Sequence, residues 1–428
     1  MISYYRSPTS KFKFHFLFVL LFIGVVTSVT AQPTSQQGFL DARNFDFKNG
    51  RLPLNGEWRY FENQLLSPKE VLSSKNTFGY FSKVWNETKN SGQGYATYAL
   101  QVVVTAQTET LALEIPQIYS CYQLWINGNL TAVNGTVGKT LAETIPQWMP
   151  QTISFTRPSD TLDIVIQIAN FHHHKGGSKD PIYLGSSELL QHHRSMATGS
   201  NLTESLLLGL VGIIFLVIYL STKKKKIIIY FALLCFTWSI RAVFSNLYTF
   251  ISIFPDFNWN AMIKIEYVTL FLTMIWAILF LSRVFSKEDN KIIKYLLVGS
   301  NSLFITYAIL TPPVAFTRWL PVYISFCAIL LIYAMVLVLK ALINERLGAN
   351  FLTISVLLGV GIFGYDVFAY EGFFTYNPIV FSAGYIIIFT LMAVVLLLHL
   401  GIIKSKPQPS SKLTFNDLYK EDNPLTKY

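Results

Sequence analysis

Beyond residue 200 the chain alternates long apolar runs with short polar ones. The apolar runs cover residues 202–220, 227–244, 265–285, 295–310, 319–342, 351–370 and 379–403. Each is near the roughly 20 residues that cross a hydrocarbon core, the fourth being the shortest. The pattern predicts seven transmembrane helices, and the polar punctuation orients them. Of the 18 Lys and Arg residues beyond position 200, 15 lie in the block 223–226, the loop 283–294, the pair Lys340 and Arg346, or the tail. All of these fall on one side, while Arg241, Lys264 and Arg318 lie toward the other. Basic loops stay in the cytoplasm. The expectation is a multi-pass protein of the cell (inner) membrane, its first 200 residues extracytoplasmic and its C-terminus cytoplasmic.

The rhythm is shorter before residue 200. In 162–168, Leu162, Ile164, Ile166 and Ile168 share one face, which predicts a strand buried on one side. Residues 95–104 are rich in Tyr, Thr and Val, and 111–115 alternate, with Glu114 outward. Residues 122–126 and 130–133 are joined through Asn127-Gly128-Asn129, a pairing that tolerates positive φ and suits a tight hairpin. Only 67–73 suggests a helix. The prediction is an antiparallel β-sandwich with short loops. Glu114 and Asp163 read as solvated strand faces.

The charge balance follows this division. Of the formal net charge of +10, residues 32–199 contribute nothing, with 13 Lys/Arg against 13 Asp/Glu. The excess therefore reflects membrane topology, and no nucleic-acid partner is implied. Arg6, Lys11 and Lys13 precede the apolar run 14–26, and Val29-Thr30-Ala31 supplies small residues. That layout predicts a signal peptide over 1–31 cleaved after Ala31, with an uncleaved anchor as the alternative. Of the three cysteines only Cys121 lies in the exported region, so no intramolecular disulfide is available there.

Four ordered motifs carry a family resemblance. They are Leu54-Asn55-Gly56-Glu57-Trp58-Arg59-Tyr60, Gly94-Tyr95-Ala96-Thr97-Tyr98, Leu124-Trp125-Ile126-Asn127-Gly128, and Asn170-Phe171-His172-His173-His174-Lys175-Gly176-Gly177. Followed by seven spans, they resemble the bacterial seven-transmembrane receptors with diverse intracellular signalling modules. The resemblance implies an all-β jelly-roll sandwich ectodomain, akin to sugar-binding domains, followed by a seven-helix transmembrane bundle. Residues 81–85 match the family's turn only loosely, and Ser178-Lys179-Asp180-Pro181 stands where an aromatic is common. The expected divisions are a signal peptide (1–31), an extracytoplasmic sensor domain (32–198), a membrane domain (199–404) and a short disordered cytoplasmic tail (405–428).

Candidate ligand contacts follow from chemistry. Sugar C–H surfaces pack on aromatic rings, which makes Trp85, Trp125 and Trp148 platforms, with His172 and His173 beside them; burial in the core is the competing fate of each Trp. Consecutive strand residues point to alternate faces, so His172-His173-His174 cannot all ligate one ion. No metal or cofactor is expected. Glu57, Glu114, Glu143 and Asp163 show no glycosidase spacing. In the membrane, Arg241, Glu266 and Asp366 all fall toward the outer helix ends, with Glu204 near an entrance and His399 near an exit. Two readings of the first three stand: an ion-pair network reporting ectodomain state, or interfacial snorkelling. Gly359, Gly361 and Gly364 signal close helix packing, or a hinge.

The resemblance also implies a cytoplasmic kinase, cyclase or DNA-binding module. Residues 404–428 carry no phosphate-binding glycine loop and no histidine. The reading is a receptor, not an enzyme, that binds an extracytoplasmic small molecule or glycan and signals to a separate cytoplasmic protein. Three alternatives remain: a membrane-anchored binding module, a truncated relative, and a transporter. The last lacks support from duplicated halves or midplane charge.

Overall fold

The computed structural model describes residues 32–75, 77–89, 91–105, 110–156, 159–222, 225–370 and 377–403. The expected signal peptide and cytoplasmic tail lie outside them.

Two large sheets and a two-stranded one, Ile118–Tyr119 with Gly177–Ser178, build the N-terminal half. In the larger, the strands run in the order Thr77–Phe81, Gly56–Glu62, Gly94–Val103, Thr161–Asn170, Cys121–Ile126, Asn129–Asn134, all antiparallel. Phe39–Asp41 joins Gly94–Val103 in parallel. The smaller sheet runs Gln151–Phe155, Leu111–Ile115, Tyr183–Ser186, Leu52–Pro53. The core lies between them: Trp58, Leu100, Ile164, Ile166 and Tyr122 from one sheet meet Leu113, Ile115 and Leu184 from the other. The predicted hairpin forms, with φ of +49° at Asn127 and +80° at Gly128, the left-handed pair that a two-residue turn needs.

Thr161–Asn170 departs from the one-sided burial expected of it. Val165, Gln167 and Ala169 are buried as well. As a central strand it is covered on its second face by the short helix Pro68–Ser73 and the segment before it: Val71 and Leu66 pack with Val165, Ala99 and Phe61. Gln167 is accommodated there because its Nε2 donates to the Leu66 carbonyl at 3.0 Å, as a buried amide must. Glu114 is not simply solvated. Arg51 Nη1 lies 3.0 Å and His193 Nδ1 3.4 Å from its carboxylate. Asp163 stays exposed and accepts from Gln101.

Seven helices are long and apolar enough to cross a membrane. They are α1 (Ser187–Ser221), α2 (Lys226–Phe244), α3 (Trp259–Val284), α4 (Lys291–Leu310), α5 (Leu320–Ile343), α6 (Ala349–Tyr370) and α7 (Pro378–Leu400). Asn side chains cap α3, α4 and α7 by accepting from first-turn N–H groups, which satisfies donors the helix cannot. The strand Tyr183–Ser186 runs directly into α1, whose N-cap Ser186 accepts from Leu189 N–H. With 35 residues, α1 is about 52 Å long and outreaches a hydrocarbon core of about 30 Å. The expected boundary at 198/199 falls inside this one continuous helix.

The sixth-span glycines do not draw helices together. A Cβ on Gly359, Gly361 or Gly364 would meet nothing within 4 Å. Close approach is made elsewhere: a Cβ on Gly384 of α7 would lie 2.3 Å from Ile362 of α6, and one on Gly212 of α1 3.1 Å from the Phe236 ring of α2. At the end of the bundle away from the sheets, Arg346 Nε binds Glu288 at 2.6 Å, while Lys294 Nζ at 2.5 Å and the Tyr333 hydroxyl at 2.7 Å bind Asp289. This clamp joins the α3–α4 loop to α5 and the α5–α6 loop.

Candidate functional site

The fourth sequence motif builds the junction between the halves. Thr161–Asn170 ends at Asn170, which is fully buried. Its Nδ2 lies 2.7 Å from the Gly92 carbonyl, 2.8 Å from that of His173 and 2.9 Å from that of Lys175. Its Oδ1 accepts from His173 N–H. One amide thus folds 171–176 into a loop that points at the bundle. Gly92 and Gly176 are required there, since a Cβ on either would lie about 2 Å from a facing carbonyl oxygen.

Each histidine of the motif has a different neighbour. The ring of His172 meets the Thr144 carbonyl through Nε2 (2.9 Å) and turns its edge to Trp259 of α3. His173 is buried among Tyr119 and Trp148. Its Nδ1 accepts from Lys175 N–H at 3.0 Å. Burial pushes its pKa down to about 3, so the ring is neutral. The main-chain N–H of His174 donates to Thr317 Oγ1, just before α5. None of the three occupies a strand, and among the described residues no three His, Cys, Asp or Glu side chains converge as a metal site would require.

Trp148 completes the junction. Its ring centroid lies 5.4 Å from Tyr248 and 5.5 Å from Trp259, the latter edge-on. One apolar cluster therefore runs from Val84, Tyr119 and Trp148 of the N-terminal half into Phe244, Tyr248, Trp259, Met262 and Tyr267 of the bundle. Gln147 Nε2 adds a hydrogen bond to the Pro255 carbonyl (2.6 Å), and Arg194 reaches Ser252. Trp85 and Trp125 lie away from this contact. The Trp85 indole is buried and donates to the Tyr98 hydroxyl (2.9 Å), with Gly177 against its ring. Trp125 is half-buried on the outer face of the larger sheet, beside Leu66.

Beneath the junction lies a cavity of about 290 Å³. Its roof is Gln117, Tyr119, Trp148, His173, Lys179 and Asp180 of the N-terminal half; its walls come from α2, α3, α5, α6 and α7. Arg241, Glu266 and Asp366 all line it, among Trp238, Tyr248, Tyr267, Tyr323 and Tyr385. Arg241 Nη1 donates to the main-chain carbonyl of Glu266 (2.8 Å), and the Tyr248 hydroxyl donates to Glu266 Oε2 (3.2 Å). Asp366 feels the charges of Arg241 and Lys179. Its carboxylate accepts no hydrogen bond among the described residues. A vestibule of about 160 Å³ adjoins the cavity through Gln117, Lys179, Asp180, Asn246 and Asp366, and extends to Arg51, Glu114, His193 and Arg194. Burial pushes Glu114 up, but His193 and Arg51 outweigh it and leave the carboxyl below its ordinary value.

Sequence reasoning did not find Tyr119, Trp238, Tyr248, Lys179 or Asp180. Trp238 and Arg241 sit three residues apart on one helix face, a signal present in the sequence; the others needed the fold. Glu204 packs inside the bundle. It is 2% exposed, between α1 and α2, and accepts from Trp238 Nε1 at 2.7 Å. His399 binds the Val395 carbonyl within α7.

Residues 202–404 match the family model described as 7TM diverse intracellular signalling. The comparison with curated proteins finds no match. Among solved structures the chain is similar to a beta-glucuronidase of Faecalibacterium prausnitzii, with 12% identity, 32% of this chain, 31% of that one and a TM-score of 0.26. It is also similar to a GH2 beta-galacturonidase of Eisenbergiella tayi (12% identity, 34% and 26% covered, TM-score 0.24) and a beta-glucuronidase of Ruminococcus gnavus (11%, 32% and 28%, TM-score 0.25). The chain spans less than a third of the length of these proteins. At that identity and score, nothing about activity or substrate passes to it.

Proposed function

We propose that the chain, whose residues 202–404 match the 7TM diverse intracellular signalling family, is a receptor whose ligand occupies the cavity shared by ectodomain and bundle. The observation that carries this reading is the lining. Residues mostly from loops of the N-terminal half and from five helices face one space, so an occupant touches both halves at once. A ligand shifts an equilibrium only by binding two states unequally, and a cavity between two bodies changes shape whenever they move. Arg241, Glu266 and Asp366 act here as polar ligand contacts, with Trp148 and His173 in the roof. We read the sandwich as a jelly roll that closes the cavity, with the ectodomain outside the cell membrane and the clamped end of the bundle in the cytoplasm.

The signal then leaves through a separate cytoplasmic protein that meets the basic loops around Arg283, Lys287 and Lys291, all exposed. A photo-reactive amino acid at Lys287, introduced in cells producing wild type or the cavity-filled variant Gly359→Trp, tests this. A cytoplasmic protein whose capture differs between the two supports the reading. Identical capture from both, with both correctly inserted, contradicts it. A glycan bound on the outer face of the larger sheet, at Trp125, is the second reading, favoured by the half-exposed indole there; binding of glycans abolished by Trp125→Ala and untouched by Gly359→Trp would establish it instead.

A further inference from the structure

The chemistry of the cavity wall narrows the ligand, given the proposed function above. Lys179 and Asp180 stand 3.9 Å apart and offset one another at the mouth. Deeper in, one guanidinium, Arg241, faces two carboxylates, Glu266 and Asp366. Part of the guanidinium is committed to a main-chain carbonyl, and one oxygen of Glu266 to Tyr248. Asp366 is left without a hydrogen-bond donor among the described residues, facing the cavity. Carboxylates in a low-dielectric site seek a charged donor. The surrounding rings present electron-rich faces, which attract cations. The space suits a small amphipathic molecule rather than an oligosaccharide, since pockets for drug-sized ligands begin at roughly 300 Å³.

We infer that the cavity binds a small organic amine in its protonated form, its ammonium group on Asp366 and Glu266 and its apolar body among Trp238, Tyr323 and Tyr385. Lys179 and Asp180 flank the entrance from the vestibule. An amino acid is a different case, because its carboxylate needs Arg241 as well.

The test uses the full-length protein in lipid nanodiscs, with empty nanodiscs as the blank. Calorimetric titration compares four probes of similar size: 2-phenylethylamine, 2-phenylethanol, 3-phenylpropionate and phenylalanine. The amine is expected to bind about tenfold or more tightly than the alcohol. Asp366→Asn and Glu266→Gln, each nearly isosteric, are expected to remove that advantage while leaving the alcohol's affinity unchanged. Equal affinity of amine and alcohol, tightest binding of the propionate, or no amine binding at millimolar concentration overturns the inference. Tightest binding of phenylalanine, lost in Arg241→Gln, overturns it in favour of a zwitterion. Gly359→Trp separates the two levels. If it abolishes binding of amine and alcohol alike without any preference between them, the cavity receptor stands and the amine class falls. If bound probes ignore it, the cavity itself is not the site.

Discussion

His173 lies face to face with Tyr119, their ring centroids 4.7 Å apart and their planes inclined by 13°. The stack places a buried, uncharged imidazole at the seam between sandwich and bundle. An imidazolium there would lose its water without gaining a carboxylate, which is why burial holds the pKa near 3.

The first prediction follows from linkage. The folded-state pKa is depressed below the ordinary 6.5, so the unfolded chain takes up the proton first. His173 therefore contributes stability above pH 6.5 that is lost progressively as pH falls toward 3, by up to about 1.4 kcal/mol per pH unit. Thermal unfolding of the detergent-solubilised protein between pH 7.5 and 5 should show this slope, and His173→Phe should flatten it. An unchanged slope in the variant would remove His173 from the explanation.

Asn170 is the second test. Replacing it by Leu keeps approximate volume and leaves the carbonyls of Gly92, His173 and Lys175 without their shared donor. Unpaired buried acceptors cost about 1–3 kcal/mol. Hydrogen exchange should rise across 171–178 and at Gly92, and at Tyr248 and Trp259 as the loop loses its seat on the bundle. Faster exchange confined to the loop would mean that it does not hold the junction.

The third concerns the opposite end. Burial pushes Glu288 up, but hydrogen bonds from Arg346 and Asn344 and the charge of Arg346 outweigh it, so its carboxyl sits below the ordinary 4.5. The stabilisation it contributes is present above pH 4.5 and is lost as pH falls through the lower folded value. Glu288→Gln should cost about 1–2 kcal/mol, less than a fully buried pair because Arg346 is partly exposed. Limited proteolysis should then cut faster near residues 285–290. An unchanged rate would show that the clamp does not restrain this loop.

The sequence spoke clearly where periodicity governs. Seven apolar runs became seven helices, and Asn127-Gly128 made its hairpin, because span length and left-handed φ are local requirements. The first turns of α1 escaped notice since residues 187–201 are polar, and their partners are strands far away in the chain. Gly359, Gly361 and Gly364 misled because a small-residue stripe shows what could pack closely, not what does. The cavity was half legible. Arg241, Glu266 and Asp366 stood out as charges in apolar runs, yet what they face depends on Trp148 and His173, which meet the bundle only after the sandwich has formed.

The most direct measurement of coupling needs no ligand. The three native cysteines are buried, and Lys287 and Glu345 are exposed on either side of the clamp, so spin labels can be placed at those two positions in nanodisc-embedded protein. A Cβ at Gly359 enters open space, and a Trp there fills part of the cavity. Pulsed electron resonance should find a shifted or broadened 287–345 distance distribution in Gly359→Trp relative to wild type. Superimposable distributions, in a variant whose ectodomain remains folded and seated, would contradict the claim that the cavity is read out across the membrane.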